Sequence, residues 1–181
     1  MEDADAVQID APLPPQGQTP LPQPDPFPPV AHRAARQPRR KPQPPANARE
    51  ESYTPNFPLL FPLPGGSCTR TSGYGWRTDP MGGGGTDFHL GHDLAAATGT
   101  PVLAAADGVV RVAGKHASYG NYLRILHADG DETLYAHMQY LFVSTGTVVT
   151  AGQVLGVVGE TGNATGPHLH FEILHKGLRY D

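Results

Sequence analysis

Asn121-Tyr122-Leu123-Arg124-Ile125-Leu126-His127 runs into Ala128-Asp129-Gly130-Asp131 and then into Glu132-Thr133-Leu134-Tyr135-Ala136-His137. The first run alternates Tyr122, Arg124 and Leu126 with Leu123, Ile125 and His127, the two-residue period of a half-buried strand. Thr133–His137 reads as a second strand, and Asp129-Gly130-Asp131 between them supplies the turn chemistry of a hairpin. Similar runs lie on either side: Pro101–Ala105 and Val109–Ala113 before, Val154–Val158 and Leu169–Leu174 after. All are five or six residues long and rich in Val, Leu, Ile or Tyr. Helical periodicity is weak throughout. The pattern predicts a mostly β fold, a compact antiparallel β-sheet domain over residues 65–181.

Upstream, the chain obeys different rules. Of its 20 prolines, 17 lie at or before Pro64, whereas 21 of its 22 glycines lie at or after Gly65. Proline has no amide donor and a fixed φ, so neither helix nor central strand survives such crowding. Residues 1–50 therefore read as a proline-rich arm, disordered or extended as polyproline II. The arm carries a basic cluster, Arg33, Arg36, Arg39, Arg40 and Lys41. It reads either as a solvated linker or as a tether to an acidic wall polymer, a membrane surface or a partner protein. Residues 51–64 read as an extended strap on the domain surface, with Tyr53, Phe57 and Phe61 as aromatic anchors.

Composition excludes several functions. The net charge is −4, and residues 65–181 hold ten acids against seven Lys and Arg, or −3. No basic field is available for a phosphate backbone, which argues against nucleic acid. The single cysteine, Cys68, rules out a disulfide within the chain and a cysteine-based zinc site; it reads as a packed or partly exposed thiol. No run of 18 apolar residues forms a spanning helix. The start, Met1-Glu2-Asp3-Ala4-Asp5, lacks the basic and apolar regions of a signal peptide.

Eight of the nine histidines fall within residues 65–181. His168 and His170, two apart in a strand, share a face at about 7 Å between Cα atoms; Leu169 and Phe171 turn into the core. His89 and Asp93 are four apart, about 13 Å in a straight strand, so they share a metal only if the chain bends at Gly91. With a histidine of the other pair they make a two-histidine, one-carboxylate set, and three protein ligands with an open fourth position are the mark of catalytic zinc. Spacing does not say which of His168 and His170 is the ligand. His137 ends a strand and is placed to handle a proton or an oxyanion.

These motifs resemble the lysostaphin-type (LytM-like) zinc metallopeptidases, which cut peptide cross-links of bacterial peptidoglycan. The resemblance runs in order through Thr71–Arg77, Phe88–Asp93, Thr98–Val102, Tyr119–Asn121, Tyr135–His137, Gly152–Gly156 and Thr161–Glu172. It implies one zinc ion held by His89, Asp93 and His170, with His137 and His168 as the paired catalytic histidines. It also implies a sheet with an active-site groove, of the duplicated hybrid-motif type, and peptidoglycan stem peptides as substrate.

Three departures accompany it. The stretch Met81–Asp87 is glycine-rich and has no tyrosine, where some members carry one that acts at the transition state. His92 stands at a usually aliphatic position; it reads as packing or support for its neighbour. The chain ends at Asp181, where members usually continue, which suggests a truncated or minimal form. Glu172 reads either as a group orienting a ligand or as a solvated side chain. His127 reads as structural, and His116 and His175 as surface residues. Two alternative functions follow: an inactive regulator of wall hydrolases, and a structural part of a phage particle or secretion assembly that degrades wall locally. The expected location is extracytoplasmic, in periplasm or wall, or on a virion. A protein partner through the arm 1–50 is a further expectation.

Overall fold

A computed structural model describes residues 43–82 and 84–181; the expected arm lies outside the described residues up to position 42. The hairpin that decided the fold is its centre. β7 (Gly120–Leu126) and β8 (Asp131–Leu141) are joined by a single 3₁₀ turn, Ala128–Gly130. Asp129 and Gly130 there have φ of 57° and 78°, the left-handed pair that matches a tight turn to strand twist. Leu123 and Ile125 are fully buried while Leu126 is 39% exposed, so the alternation read from the sequence is the alternation of burial.

The remaining strands are β1 (Thr69–Ser72), β2 (Gly75–Thr78), β3 (Thr86–His89), β4 (His92–Ala95), β5 (Pro101–Leu103), β6 (Gly108–His116), β9 (Val148–Val149), β10 (Val154–Val158), β11 (His168–His175) and β12 (Leu178–Tyr180). The main sheet runs β1-β4-β11-β8-β7-β6-β9, with β12 beside β11 and β10 bridging β8 and β5. β2 and β3 form a separate two-stranded ribbon. Strand pairing is antiparallel throughout. β5 stops two residues early because Ala104 leaves the ladder to bond across to Gln153 and Gly152.

The larger core lies on one face of this sheet, where Leu94, Val102, Leu123, Ile125, Tyr135 and Leu169 meet, and a smaller set of Leu134, Ala136 and Leu174 packs separately from it. Truncating one such leucine costs about 2–5 kcal/mol. Because Leu169 is locked into that core, its neighbours His168 and His170 are forced onto the opposite face. Cys68 packs against the same cluster as a half-buried free thiol.

Residues 51–64 cross the surface. Leu60 N–H donates to Ala105 O at 2.7 Å, and Leu103 N–H donates to Pro62 O at 2.8 Å. Tyr53 donates to Asp131, and Phe57 lies against His127. Phe61 does not anchor: it is 56% exposed, and Leu63, at 2%, is the buried residue. Residues 47–49, assigned from composition to the arm, pair with β12: Ala48 is 2% exposed and bridges Arg179. No helix among the described residues is long and apolar enough to cross a membrane.

Candidate metal centre

His89, Asp93 and His170 converge. His89 Nε2 lies 3.1 Å from Asp93 Oδ1 and 3.0 Å from His170 Nδ1, and His170 Nδ1 lies 2.8 Å from the same Oδ1. Among the described residues this is the one group of three or more His, Cys, Asp or Glu donors able to hold a metal ion. A tetrahedral ion with bonds of about 2.0–2.1 Å separates its ligand atoms by about 3.3 Å; the three donors need spread by only a few tenths of an ångström. Two imidazoles and one carboxylate with no thiolate, opening into a groove, fit one zinc ion with a free position.

The chain reaches this geometry by changing sheets. β3, with His89, belongs to the ribbon, and β4, with Asp93, belongs to the main sheet; Leu90-Gly91 makes the corner. Gly91 serves here through close approach: an added Cβ would sit 2.3 Å from Phe171 O. Its φ is not in the left-handed region, so the expected freedom to bend is not what glycine supplies. β4 pairs with β11 so that Asp93 stands opposite His170.

The other nitrogens are committed. His89 Nδ1 donates to Gly73 O at 2.7 Å, which leaves Nε2 unprotonated towards the site. Asp93 Oδ2 accepts from Arg77 Nη1 at 2.9 Å, and the same nitrogen reaches Ser72 Oγ. Burial alone would raise the Asp93 pKa, but the close approach of His170 and His89 outweighs it and holds the carboxyl well below the usual range. Burial opposes protonation of His170, yet the bonds to Asp93 and Glu172 win and raise its pKa.

His137 and His168 stand beside the triad with ring centroids 4.6 Å apart. His137 Nδ1 donates to Thr161 O at 2.7 Å and His168 Nδ1 donates to Gly166 O at 2.8 Å, so each presents an unprotonated Nε2. His137 is 6% exposed and has φ of 62°, a conformation that costs a non-glycine residue on the order of 1–3 kcal/mol. It lies in a bulge: two steps from Asn121 to Leu123 on β7 face three from Tyr135 to Met138 on β8, which re-aims the side chain. Burial, then the neighbouring His168 and His170, pushes the His137 pKa down to about 4.

Glu172 is not solvated. It is fully buried and its Oε1 accepts from His170 Nε2 at 3.1 Å. Burial and the Glu172 charge push the Tyr119 phenol above its ordinary range, so Tyr119 donates to Glu172, at 2.5 Å. His92 faces away from the site, towards Asp181 at 3.2 Å, and His127 bridges Asp107 O and Thr133 Oγ1. His175 is drawn into a pair with Asp131 at 2.6 Å, because burial of that carboxylate demands partners. Arg77 and Tyr119 were assigned no role from the sequence. Both lie in the motifs quoted above, but only the β2 alternation and the β6–β7 turn aim them at the site. The groove is further lined by Met81, Phe88, Ser118, Asn163 and Thr165.

Peptidase family M23 matches residues 87–181, just over half of the chain. The peptidoglycan DD-endopeptidase ShyC of Vibrio cholerae is 46% identical over 90 residues, which are 50% of this chain and 21% of that protein. Among solved structures, a zinc-containing peptidase from Vibrio cholerae superposes with a TM-score of 0.63 at 38% identity, covering 67% of this chain and 37% of that one. The catalytic domain of lysostaphin from Staphylococcus simulans gives 0.54 at 35% identity, covering 59% and 79%. The matched segment spans 18–24% of the length of ShyC and other curated relatives.

Proposed function

The chain belongs to peptidase family M23, and from that premise we propose that it is a zinc metalloendopeptidase acting on peptide cross-links of bacterial peptidoglycan, outside the cytoplasmic membrane. The observation that carries this reading is the convergence of His89 Nε2, Asp93 Oδ1 and His170 Nδ1 at 2.8–3.1 Å at the floor of a groove lined by two more histidines.

In this reading His89, Asp93 and His170 hold the ion. When bound, zinc supplies a Lewis acid that polarises a carbonyl and brings the pKa of water towards neutrality. The chain's own groups do the rest. The groove receives an extended peptide. His137 Nε2, kept neutral by burial, accepts the proton of the attacking water and returns it to the departing amine as the C–N bond breaks. His168 Nε2, whose opposite nitrogen is pinned on Gly166 O, faces the oxygen on which negative charge develops, and with a proton taken up from solvent before the attack it donates a hydrogen bond to it. Thr161 O and Gly166 O fix both tautomers. The bond we favour is the link from D-alanine to a diamino acid, as the name of the DD-endopeptidase relative suggests. The basic residues Arg33–Lys41, outside the described residues, are in this reading a tether to an acidic wall polymer.

The test is hydrolysis of purified peptidoglycan by the full chain, with released muropeptides identified by mass spectrometry. His89→Ala is expected to lose both zinc and turnover, and His168→Ala to keep zinc and lose turnover. Near-normal hydrolysis by either variant contradicts the assignment.

A further inference from the structure

Beneath the metal centre lies a charged layer that the proposed chemistry does not use. Glu172 Oε1 takes the Nε2 proton of His170 and the hydroxyl of Tyr119. Its Oε2 accepts from Arg179 Nε at 2.6 Å, and Arg179 Nη2 also reaches Tyr119 Oη at 3.4 Å. The Glu172 side chain is 0% exposed and that of Arg179 is 12% exposed. A carboxylate buried this fully persists only when a cation and donors compensate it, and Arg179 is the cation that touches it.

Arg179 is in turn held from its far side. Arg49 N–H donates to Arg179 O at 2.9 Å, and Arg179 N–H donates to Asn47 O at 2.9 Å. Tyr74 O–H donates to the same Arg179 carbonyl at 2.9 Å. With Ala48 buried against it, the segment 47–49 joins the edge of β12 through a single parallel bridge from Ala48 to Arg179. Three residues of β12 would otherwise hang on β11 alone.

We propose that Arg179 is a positioning residue for the metal centre. It fixes Glu172, Glu172 fixes the Nε2 edge of His170, and the segment Asn47–Arg49 keeps Arg179 in register. An imidazole bound to a metal through one nitrogen is aimed by the hydrogen bond at the other; for His170 that bond goes to Glu172. A carboxylate with two oxygens and several donors turns freely unless its second oxygen is fixed, and Arg179 fixes it. Guanidinium geometry suits the task, since one side chain reaches both Glu172 and Tyr119; a lysine would carry the charge to one point only. The contrasting account makes the Glu172–Arg179 pair a staple between β11 and β12. A staple contributes to stability and leaves the affinity of folded protein for zinc unchanged.

The proposal rests on the reading of His89, Asp93 and His170 as zinc ligands, and the experiment separates the two. Zinc-free full chain is titrated with zinc against a chelator of known affinity, alongside the melting temperature of the zinc-free form. If the wild-type chain takes up no zinc, the metal reading fails and the proposal with it. If it binds one ion, Arg179→Met is expected to bind about 10- to 100-fold more weakly. It should also lose the slowly exchanging His170 Nε2 proton from its NMR spectrum. Arg179→Lys should recover part of the affinity. Arg49→Pro, which removes the amide donor behind Arg179 and touches no group of the site, should weaken zinc by less than Arg179→Met. Folded Arg179→Met with wild-type zinc affinity overturns the proposal. Should that variant not fold, wild-type affinity in both Arg179→Lys and Arg49→Pro overturns it equally.

Discussion

Gly91→Ala tests the corner on which the metal centre depends. A Cβ at position 91 would lie 2.3 Å from Phe171 O and 3.0 Å from both Phe171 C and Glu172 Cγ. A carbon rests against a carbonyl oxygen at about 3.3–3.6 Å, so the methyl group demands about 1 Å of separation. The atoms in the way are main chain of β11 between His170 and Glu172, not the end of a flexible side chain. Relief must therefore move Leu90-Gly91 away from β11, which carries His89 and Asp93 away from His170. Overpacking of this kind costs about 1–3 kcal/mol, or a fall in Tm of about 2–12 °C in a domain of this size. Metal ligand distances tolerate about 0.2 Å, so zinc affinity should fall at least about tenfold, the lower end of what loss of supporting contacts does. Chelator competition and melting of zinc-free and zinc-loaded full chain measure both. Gly114→Ala is the control: no atom lies within 4 Å of its Cβ and its φ is ordinary, so neither quantity should fall. Wild-type zinc affinity and Tm in Gly91→Ala would refute the close-approach argument. Because alanine adopts the Gly91 φ without strain, that outcome could not be rescued by appeal to backbone freedom.

Two further expectations concern protons. In the zinc-free chain, NMR titration should show the His137 ring neutral down to about pH 5, because burial first and the neighbouring histidines second hold its pKa at about 4; a midpoint near the ordinary value of about 6.5 contradicts the packing described for it. Stability should also follow pH. Folded-state pKa values of His127 and His137 are lowered, so their contribution is complete above the unfolded value of about 6.5 and is lost as pH falls through the folded values. Their part of the stability should be lost below about pH 6.5, against the opposite contribution of His170, whose raised pKa adds stability as pH falls towards that value; a His127→Gln chain whose Tm falls as steeply as wild type from pH 7 to 5 would show the sign for His127 to be wrong.

What the sequence made legible was what local periodicity and spacing control. Tyr122–His127 follows from alternation, because it buries one face against the core, and the Asp129-Gly130 turn follows from residues that accept a positive φ. The strands β1 to β4 did not show themselves. Thr69–Ser72 and Gly75–Thr78 are polar and short; β1 pairs with β4, about twenty residues on, and β2 pairs with β3 across the glycine-rich stretch that hides the hairpin. The same limit applies to the site. A His-x-x-x-Asp spacing says that two ligands are near neighbours, but the change of sheet between them depends on how Gly91 meets Phe171. Glu172 was ambiguous because a position two residues beyond a ligand names a face, not a depth. Its carboxylate is matched by Arg179, Tyr119 and His170, partners that no local spacing names.

The pairing of charges then bears on what the centre can do. The two carboxylates that touch ligand histidines are each matched by a guanidinium: Asp93 by Arg77 at 2.9 Å and Glu172 by Arg179 at 2.6 Å. A site built from bare carboxylates would bind a cation tightly and spend its charge in doing so. Here Asp93 and Glu172 are offset by Arg77 and Arg179, with the half-exposed Asp87 also 3.9 Å from Arg77. Most of the charge of a divalent ion would thus remain directed at the groove, where His137 and His168 present Nε2. Anionic character developing on a peptide carbonyl is stabilised by such fixed, unscreened charge far more than it would be in water. The cost is borne as strain and burial: a left-handed φ at His137 and a carboxylate without solvent at Glu172. Both are held by the sheet, through the β7–β8 bulge and the β11–β12 pair, so the strands that bury the core also keep the centre set for an anion.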